Sequence, residues 1–384
     1  MNLLHSIGSL DQESGGPLRG TLDMSAAVLE LGLHCEVLGQ GPIRIADVPI
    51  PLNLIHSLPA ERVFSHIASP PLRAWCRKNL GRFDCVILHG MWSAANWWVS
   101  RECIAAEIPY VVVPHGMLDL WSVRGQGLLK RVKKTLYWYL RERQLVEESS
   151  AVVFTLQREC DNSQKTFPFP VIRPLIIPPF GVSPQLDNSP ARPSAGVDQG
   201  PGCRFALFLG RIHPKKRPDI LIEAWARAGL PREWRLIVAG PAEPSYLAEL
   251  AGLARRLGIE HAVRFVGSVS GANKRYLFQG ASWFLLPSEQ ENFGIAVLEA
   301  VGSGCAVAIS DQVYLADELP NGTDILPVSL EAWTQFMRER MTDDQWRAET
   351  AMRVRQHIGH KFDSALVAER WVRSIKQAMG KEQV

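Results

Sequence analysis

Short apolar runs, each followed by a stretch of helical periodicity, recur along the whole chain and restrict what it can fold into more than any other feature. They fall at residues 3–7, 35–38, 86–88, 110–113, 152–155 and 172–177, then at 205–209, 235–239, 263–266, 283–286 and 306–309. The segments between them, such as 17–33 and 128–148, carry apolar residues at a spacing of three and four. A near-continuous apolar strand has no face to give to water, so it must sit in a parallel sheet with helices packed on both sides. The expected class is α/β, with two doubly wound sheets, since 384 residues exceed what one such domain normally holds.

The break between the halves is visible in composition. Residues 183–202 are rich in Pro, Ser, Gly and Asn and nearly free of large apolar side chains, so they cannot bury enough surface to offset their ordering entropy. The expected division is therefore 1–182, a linker over 183–202, a second domain over 203–360, and a last segment, 361–384. In that segment Leu366, Val367, Trp371, Ile375 and Met379 form one helical stripe that needs a surface, expected to be the N-terminal domain.

Several classes are excluded or disfavoured. A net charge of +3 is too mild for a nucleic-acid partner. The seven cysteines form no C-x-x-C pair and read as reduced, mostly buried thiols. Residues 1–10 have no Lys or Arg ahead of their apolar run, and no stretch of about 20 apolar residues exists, so a cytoplasmic protein is expected. Gly15-Gly16-Pro17 follows the first strand but is not a G-x-G-x-x-G fingerprint, which disfavours a nicotinamide dehydrogenase.

The chemistry concentrates after two strands of the second half. Behind the run 283–286 comes Pro287-Ser288-Glu289-Gln290-Glu291-Asn292-Phe293-Gly294-Ile295-Ala296-Val297-Leu298-Glu299. A helix is expected to begin near Phe293 or Gly294, with Glu291 in the loop before it and Glu299 about two turns in. The first amides of a helix lack intrahelical partners and carry the positive end of its dipole, a site for a diphosphate. One carboxylate could then hold the hydroxyls of a hexose and the other a ribose diol; two solvated acids on a helix is the plain alternative. Behind the run 205–209, Arg211 and Lys216 lie in a loop entering a helix at Pro218, where two fixed cations suit a diphosphate leaving group and a solvated basic loop is the plain alternative. Lys215 and Arg217 read as solvated. In the first half His89 and His115 each end a strand, where the loops of open α/β sheets carry function; one such His alone would read as structural, and the pair points to a site.

With these residues in place, the chain resembles the GT-B glycosyltransferases of family 4, the retaining group 1 enzymes, strongly over residues 204–310. Glu291 and Glu299 match that family's E-x7-E motif, and Arg211 and Lys216 its basic loop; residues 176–182 resemble the segment entering its interdomain linker. Residues 113–118 are similar to members that build bacterial capsular polysaccharides and exopolysaccharides. The resemblance implies two Rossmann-like domains facing across a cleft, with the acceptor on the first and the nucleotide sugar on the second. It implies that Glu299 binds the ribose, that Glu291 lies against the donor hexose, and that the amides of Phe293, Gly294 and Ile295 hold sugar and phosphate. Arg211 and Lys216 would bind the diphosphate, Gly16 would place its amide near the phosphates, and His115 would hydrogen-bond the transferred sugar. UDP is expected ahead of GDP, the acceptor is a glycan or lipid-linked intermediate, and no cofactor or metal is required because cations and a helix end do the neutralising. Two departures stand out: the Gly-rich segment after the last nucleotide-site strand is reduced to Asn321-Gly322, and Pro179-Phe180 replaces the usual Pro-Asn.

Two other readings share the fold: a non-catalytic subunit that binds sugars or a partner enzyme, and a nucleotide-sugar epimerase. Finally, residues 121–140 set Arg124, Lys130, Arg131, Lys133 and Lys134 beside Leu128, Leu129, Leu136, Tyr137, Trp138 and Tyr139, a pattern that fits an anionic membrane surface on the inner face of the plasma membrane, or a helix that only covers its own sheet.

Overall fold

The computed structural model describes residues 1–11, 16–43, 48–59, 70–124, 127–167, 174–178, 196–197 and 202–380. The chain forms two compact units: Met1–Gly181 together with Ser364–Val384, and Val182–Asp363. Most of the segment read as a linker, and Gly15 and Pro179-Phe180, lie outside the described residues.

The first unit runs β1 (Asn2–Ile7), α1 (Gly16–Glu30), β2 (His34–Gln40), β3 (Ile55–Leu58), α2 (Pro70–Asn79), β4 (Cys85–His89), α3 (Ala94–Ala105), β5 (Tyr110–Val113), α4 (Leu120–Arg124), α5 (Leu128–Tyr137), a π turn over Trp138–Glu142, α6 (Arg143–Glu147), β6 (Ala151–Phe154), α7 (Gln157–Thr166) and β7 (Pro174–Ile176). Its strands are parallel, in the order β3-β2-β1-β4-β5-β6-β7. The second unit runs β8 (Arg204–Leu209), α8 (Pro218–Ala228), β9 (Trp234–Ala239), α9 (Pro244–Arg256), β10 (Val263–Gly267), α10 (Gly271–Gly280), β11 (Trp283–Leu286), α11 (Ile295–Gly302), β12 (Ala306–Ser310), β13 (Asp324–Leu326), α12 (Leu330–Glu339) and α13 (Asp344–Lys361). Its parallel order is β10-β9-β8-β11-β12-β13. Both sheets reverse their direction of growth once, between β1 and β4 in the first and between β8 and β11 in the second. Two doubly wound sheets of this kind make both units Rossmann-like.

The cores explain why the strands read as apolar runs. In the first sheet Leu4, Val86, Leu88, Val112 and Val152 face one side, against α2, α3 and Trp138, while Leu3, Cys85, Ile87, Val111 and Val153 face the other. That second side is covered by α14 (Ser364–Ala378), whose Val367, Trp371, Val372 and Ile375 are all buried there. Of the expected stripe Leu366 is exposed, while Val367, Trp371, Ile375 and Met379 pack into the core of the first unit, and each large side chain buried there contributes on the order of 1.5–3 kcal/mol. All seven cysteines are free and six are buried; burial pushes the thiols of Cys35, Cys76 and Cys305 up to about 12.

The single helix expected over 128–148 is instead two helices joined by the π turn, which widens the chain by a residue at a point where the apolar pattern shows no break. The edge strands β3 and β13 have no counterpart among the expected runs. Both are half-exposed, so their residues are not uniformly apolar.

Candidate functional site

In an open α/β sheet the place where strand growth reverses leaves a crevice beyond the carboxyl ends of the strands. In the second unit the loops after β8 and β11 meet there. The loop after β8 begins with Gly210, whose N–H donates to Ala239 O at 3.0 Å. The next loop begins with Gly240, at φ 138°, where a Cβ would stand 1.8 Å from Gly210 O, so only glycine allows this approach. Residues Pro214–Lys216 make a 3₁₀ turn in which His213 Nδ1 accepts from Lys215 N at 3.1 Å. Arg217 then takes a left-handed conformation (φ 51°) and Pro218 opens α8. Arg217 is not solvated, as its position in a basic loop suggested. Its guanidinium binds Asp219 at 2.8 Å and Glu289 at 3.0 Å, and Glu289 N donates to Lys215 O at 2.9 Å. The two loops are stitched into one wall.

The loop after β11 is fixed from the other side as well. Ser288 O accepts from Ser310 Oγ at 2.6 Å. Glu291 forms a parallel bridge with Val313, its N–H donating to Gln312 O at 3.2 Å and its carbonyl accepting from Tyr314 N at 3.0 Å. Gly294, left-handed at φ 77°, caps α11, whose first residue is Ile295. The helix therefore starts one to two residues later than the sequence pattern suggested, and Glu299 lies a little over one turn in, rather than two. Phe293 is buried, edge-on to Phe362 at 5.9 Å.

The carboxylates flanking this helix start each hold a lysine. Glu291 is ion-paired with Lys216, and Glu299 Oε1 takes Lys274 Nζ, from α10, at 2.6 Å. Both acids are partly buried, at 22% and 24% side-chain exposure, so neither points freely into bulk water. Burial pulls the Lys216 ammonium downward and the cations Lys215 and Arg211 add to this. The Glu291 carboxylate against it opposes that shift and favours the charged lysine. Arg211 is exposed within the same cationic group. Arg211, Lys216, Glu291, Gly294, Ile295 and Glu299 thus belong to two loops and one helix start. A depression of about 530 Å3 at the opposite, amino edge of this sheet, lined by Glu233, Arg235, Glu260 and Arg264, contains none of them.

Lys274 was not legible as a site residue, because its partner lies 25 positions away and a lysine on a helix carries no signal by itself.

In the first unit the loops after β1, β4 and β5 meet in the corresponding place. Gly8 follows β1, and a Cβ there would stand 2.8 Å from Ser93 Oγ, the side chain that caps α3. Gly90 N donates to Val113 O at 2.8 Å, Asn96 Nδ2 donates to the carbonyls of His89 and Gly90 at 2.9 Å each, and Trp92 Nε1 donates to Met117 O at 3.2 Å. The buried Glu159 carboxylate accepts from Gly116 N at 2.5 Å and from Thr155 N and Oγ1 at 2.7 Å each. His115, held in this loop, is left-handed at φ 53° and partly exposed. Gly16 is exposed at the first position of α1.

His115 does not stand alone. Its Nε2 lies 2.9 Å from Nδ1 of His89, whose Nε2 lies 2.8 Å from Nδ1 of His5, a residue of β1. Burial depresses all three: His5 falls to about 3, His115 to about 4, and His89 well below the ordinary range, with its two histidine neighbours adding to the effect. All three are neutral at physiological pH. His5 went unread in the sequence; it is a buried polar ring in β1, a strand that also carries Asn2 and Ser6.

Residues 15–179 match the family model described as a glycosyl transferase 4-like domain, and residues 198–323 match that of the glycosyl transferases group 1. The D-inositol 3-phosphate glycosyltransferase of Actinosynnema mirum is 30% identical over 248 residues, which are 62% of this chain and 58% of that protein's length. The protein of the same description from Xylanimonas cellulosilytica is 25% identical over 379 residues, 89% of this chain and 88% of its own. Among solved structures, Anabaena HepE in complex with UDP and glucose superimposes with a TM-score of 0.78 at 17% identity, covering 98% of this chain and all of that one.

Proposed function

Because the chain belongs to the group 1 glycosyltransferases and has their GT-B fold of two Rossmann-like domains, we propose that it moves a hexose from a UDP-sugar to a glycan or lipid-linked acceptor, with retention of anomeric configuration, in bacterial polysaccharide synthesis. The observation that carries this reading is the pair of lysine-held carboxylates, Glu291 and Glu299, on either side of the first turn of α11. The free amides at that helix start take the diphosphate, as helix ends do for anions. Glu299 takes the ribose diol and Glu291 the hexose hydroxyls. Arg211 and Lys216 neutralise the charge that grows on the diphosphate as the sugar departs. The acceptor hydroxyl attacks the face the diphosphate is leaving and passes its proton to a diphosphate oxygen, so configuration is kept. His115 donates a hydrogen bond to the transferred sugar.

The test is thermal stabilisation by a panel of nucleotide sugars, followed by transfer assays with the one that stabilises. A UDP-hexose at a hundred times its dissociation constant adds about 2.7 kcal/mol of stability. Failure of every nucleotide sugar to raise Tm at millimolar concentration ends this reading.

A second element of the proposal is peripheral contact with an anionic bilayer through α5 and the turn after it. Leu129, Val132, Leu136, Tyr139 and Leu140 are exposed there beside the exposed Lys130, Arg131 and Lys133. Trp138 is buried in the core and does not belong to that face, and neither does Lys134. It is half-buried, donates to Ser122 O at 2.8 Å and lies 5.2 Å from the centre of the Trp92 ring, and burial, with Lys130 nearby, lowers its pKa. Among the described residues no helix is long and apolar enough to cross a membrane. The expected result is sedimentation with phosphatidylserine vesicles at low salt, lost when Lys130, Arg131 and Lys133 become Gln. Equal sedimentation of that variant would remove the claim.

A further inference from the structure

His5, His89 and His115 form a file of imidazoles that runs from the centre of the first sheet to its functional edge. His5 and His89 lie on adjacent parallel strands, with Ile7 opposite His89 in the register, so both rings fall on the face covered by α14. Exposure grows along the file: His5 is 0% exposed, His89 5%, and His115 opens partly to solvent. The ring nitrogens bond one to the next rather than converging on a point.

Counting protons leaves a single choice. Three neutral imidazoles carry three N–H groups and three lone pairs. The two inter-ring bonds use four of the six nitrogens and consume two N–H groups. The third N–H must sit at one of the two free ends, His5 Nε2 or His115 Nδ1. The inner end is buried and has no partner among the described residues. The indole N–H of Trp371, on the ring stacked over His5 at 6.3 Å, is likewise buried and unpartnered. An N–H at His5 Nε2 would leave a second buried donor unmet beside that indole, whereas a lone pair there leaves an unmet acceptor, which buried sites tolerate better than an orphaned N–H. At the outer end an N–H can be met by water or ligand. The file also ends blindly beneath Trp371, so it cannot pass a proton through to another group; what it can do is fix a direction.

We propose that His5 and His89 act as positioning residues that lock His115 in its Nδ1–H tautomer, so that His115 offers the functional edge of this unit a neutral hydrogen-bond donor. The direction is His5 Nδ1–H to His89 Nε2, then His89 Nδ1–H to His115 Nε2, leaving His115 Nδ1–H outward. Bonds of this kind polarise one another, so the end donor is stronger than that of an isolated imidazole. Its chemical target is an acceptor oxygen on an uncharged ligand. On the proposed function that is a hydroxyl or ring oxygen of the transferred sugar, and this identity rests on that reading; the tautomer does not.

Two measurements separate the claims. Long-range proton–nitrogen NMR on histidine-labelled protein, without ligand and at neutral pH, reports which nitrogen of each ring is protonated. The expected pattern is Nδ1–H on all three. Nε2–H on His115 overturns the relay whatever the protein's substrate. The second measurement is turnover of the donor found by the nucleotide-sugar screen, in His5→Asn and His5→Leu. Asn can still donate to His89 Nε2 from near the position of the lost Nδ1–H, whereas Leu cannot. His5→Leu is expected to lower kcat by about tenfold, the worth of one hydrogen bond made in the transition state, with KM within about twofold. His5→Asn should recover most of that loss. Equal defects in the two variants, or a loss confined to KM, overturn the positioning role. A His115 Nδ1–H tautomer in a protein that turns over no nucleotide sugar leaves the relay standing and removes the proposed function.

Discussion

At the carboxyl edge of the second sheet Lys216 is clasped by Glu291 and Lys274 by Glu299, while at the same edge of the first sheet three histidine rings bond one to the next in a file and stay uncharged. The topology is shared: each sheet reverses once, and each site lies in the loops beyond the reversal. The difference lies in solvent access. The second site is partly open and sets each of its carboxylates against a lysine. The histidine file runs into a dry core where an imidazolium would be costly, so it works by dipoles. A site of paired ions can exchange one partner for a charged ligand. A site of neutral rings can orient an uncharged one. The predictions below set these two modes against each other.

The largest effect is expected where charge is used. On the proposed function, Lys216→Ala removes a cation from the leaving group, and it strands the Glu291 carboxylate. Loss of one preorganised charge-stabilising group costs roughly 10²–10³ in kcat, far beyond the tenfold expected at His5. Steady-state kinetics decide it: a fall in kcat/KM that comes through KM alone would show that Lys216 only binds.

Next comes a carboxyl that the first unit forces toward neutrality. Glu142, at the end of the π turn, is 1% exposed with Oε1 unpartnered, and burial pushes it up to about 7 against the opposing effects of the Trp92 amide and Arg141. The folded protein therefore holds this proton more tightly than the unfolded chain does. Its stabilising contribution is full below about pH 4.5 and is lost as pH rises through 7. Glu142→Gln keeps an acceptor for Trp92 and has no charge to bury. It should be more stable than the parent by ~3 kcal/mol at pH 8 and indistinguishable from it near pH 4.5. Urea unfolding at the two pH values measures this, and a difference that does not grow with pH would contradict it.

Much of this contrast was legible from residues alone, and unevenly. Strands such as β5 and β11 are buried on both faces, so their apolar runs mark their ends to the residue. The edge strands β3 and β13 leave no such trace because they are only 4 and 3 residues long and include His56, Ser57 and Asp324. The acids and cations of the second site could be found because strand, loop and helix start follow one another in the chain and carry them in order. Lys274 and His5 could not, because each acts through a partner supplied by another element, 25 and 84 positions away. What made His115 informative, its place at the end of a file, is a property of three strands side by side.

A smaller effect should follow from Glu299→Ala. The proposed contact is a carboxylate accepting from the ribose diol, and its loss leaves those hydroxyls to water. A weakening of UDP binding by roughly tenfold is expected, since hydrogen bonds to a charged group are worth about 1.5–3 kcal/mol and solvent recovers part of that. Calorimetry with UDP measures it directly; unchanged affinity removes Glu299 from the nucleotide site.

The smallest effect sharpens the comparison most, because it asks whether the ion pairs of the second site hold energy or geometry. Lys274 is about a third exposed and its pair with Glu299 lies near the surface, so the pair itself is worth no more than about 1 kcal/mol to the fold. If its task is to hold one oxygen of Glu299 so that the other faces the ribose, Lys274→Met should leave Tm nearly unchanged and weaken UDP binding by about two- to threefold, and the double variant with Glu299→Ala should bind no more weakly than Glu299→Ala alone. If instead Lys274 competes with the ribose for the carboxylate, Lys274→Met should bind UDP more tightly. The sign of that change, read from the same titration, decides whether the charged site is preorganised for its ligand, as the histidine file is, or must first give up an internal partner to receive it.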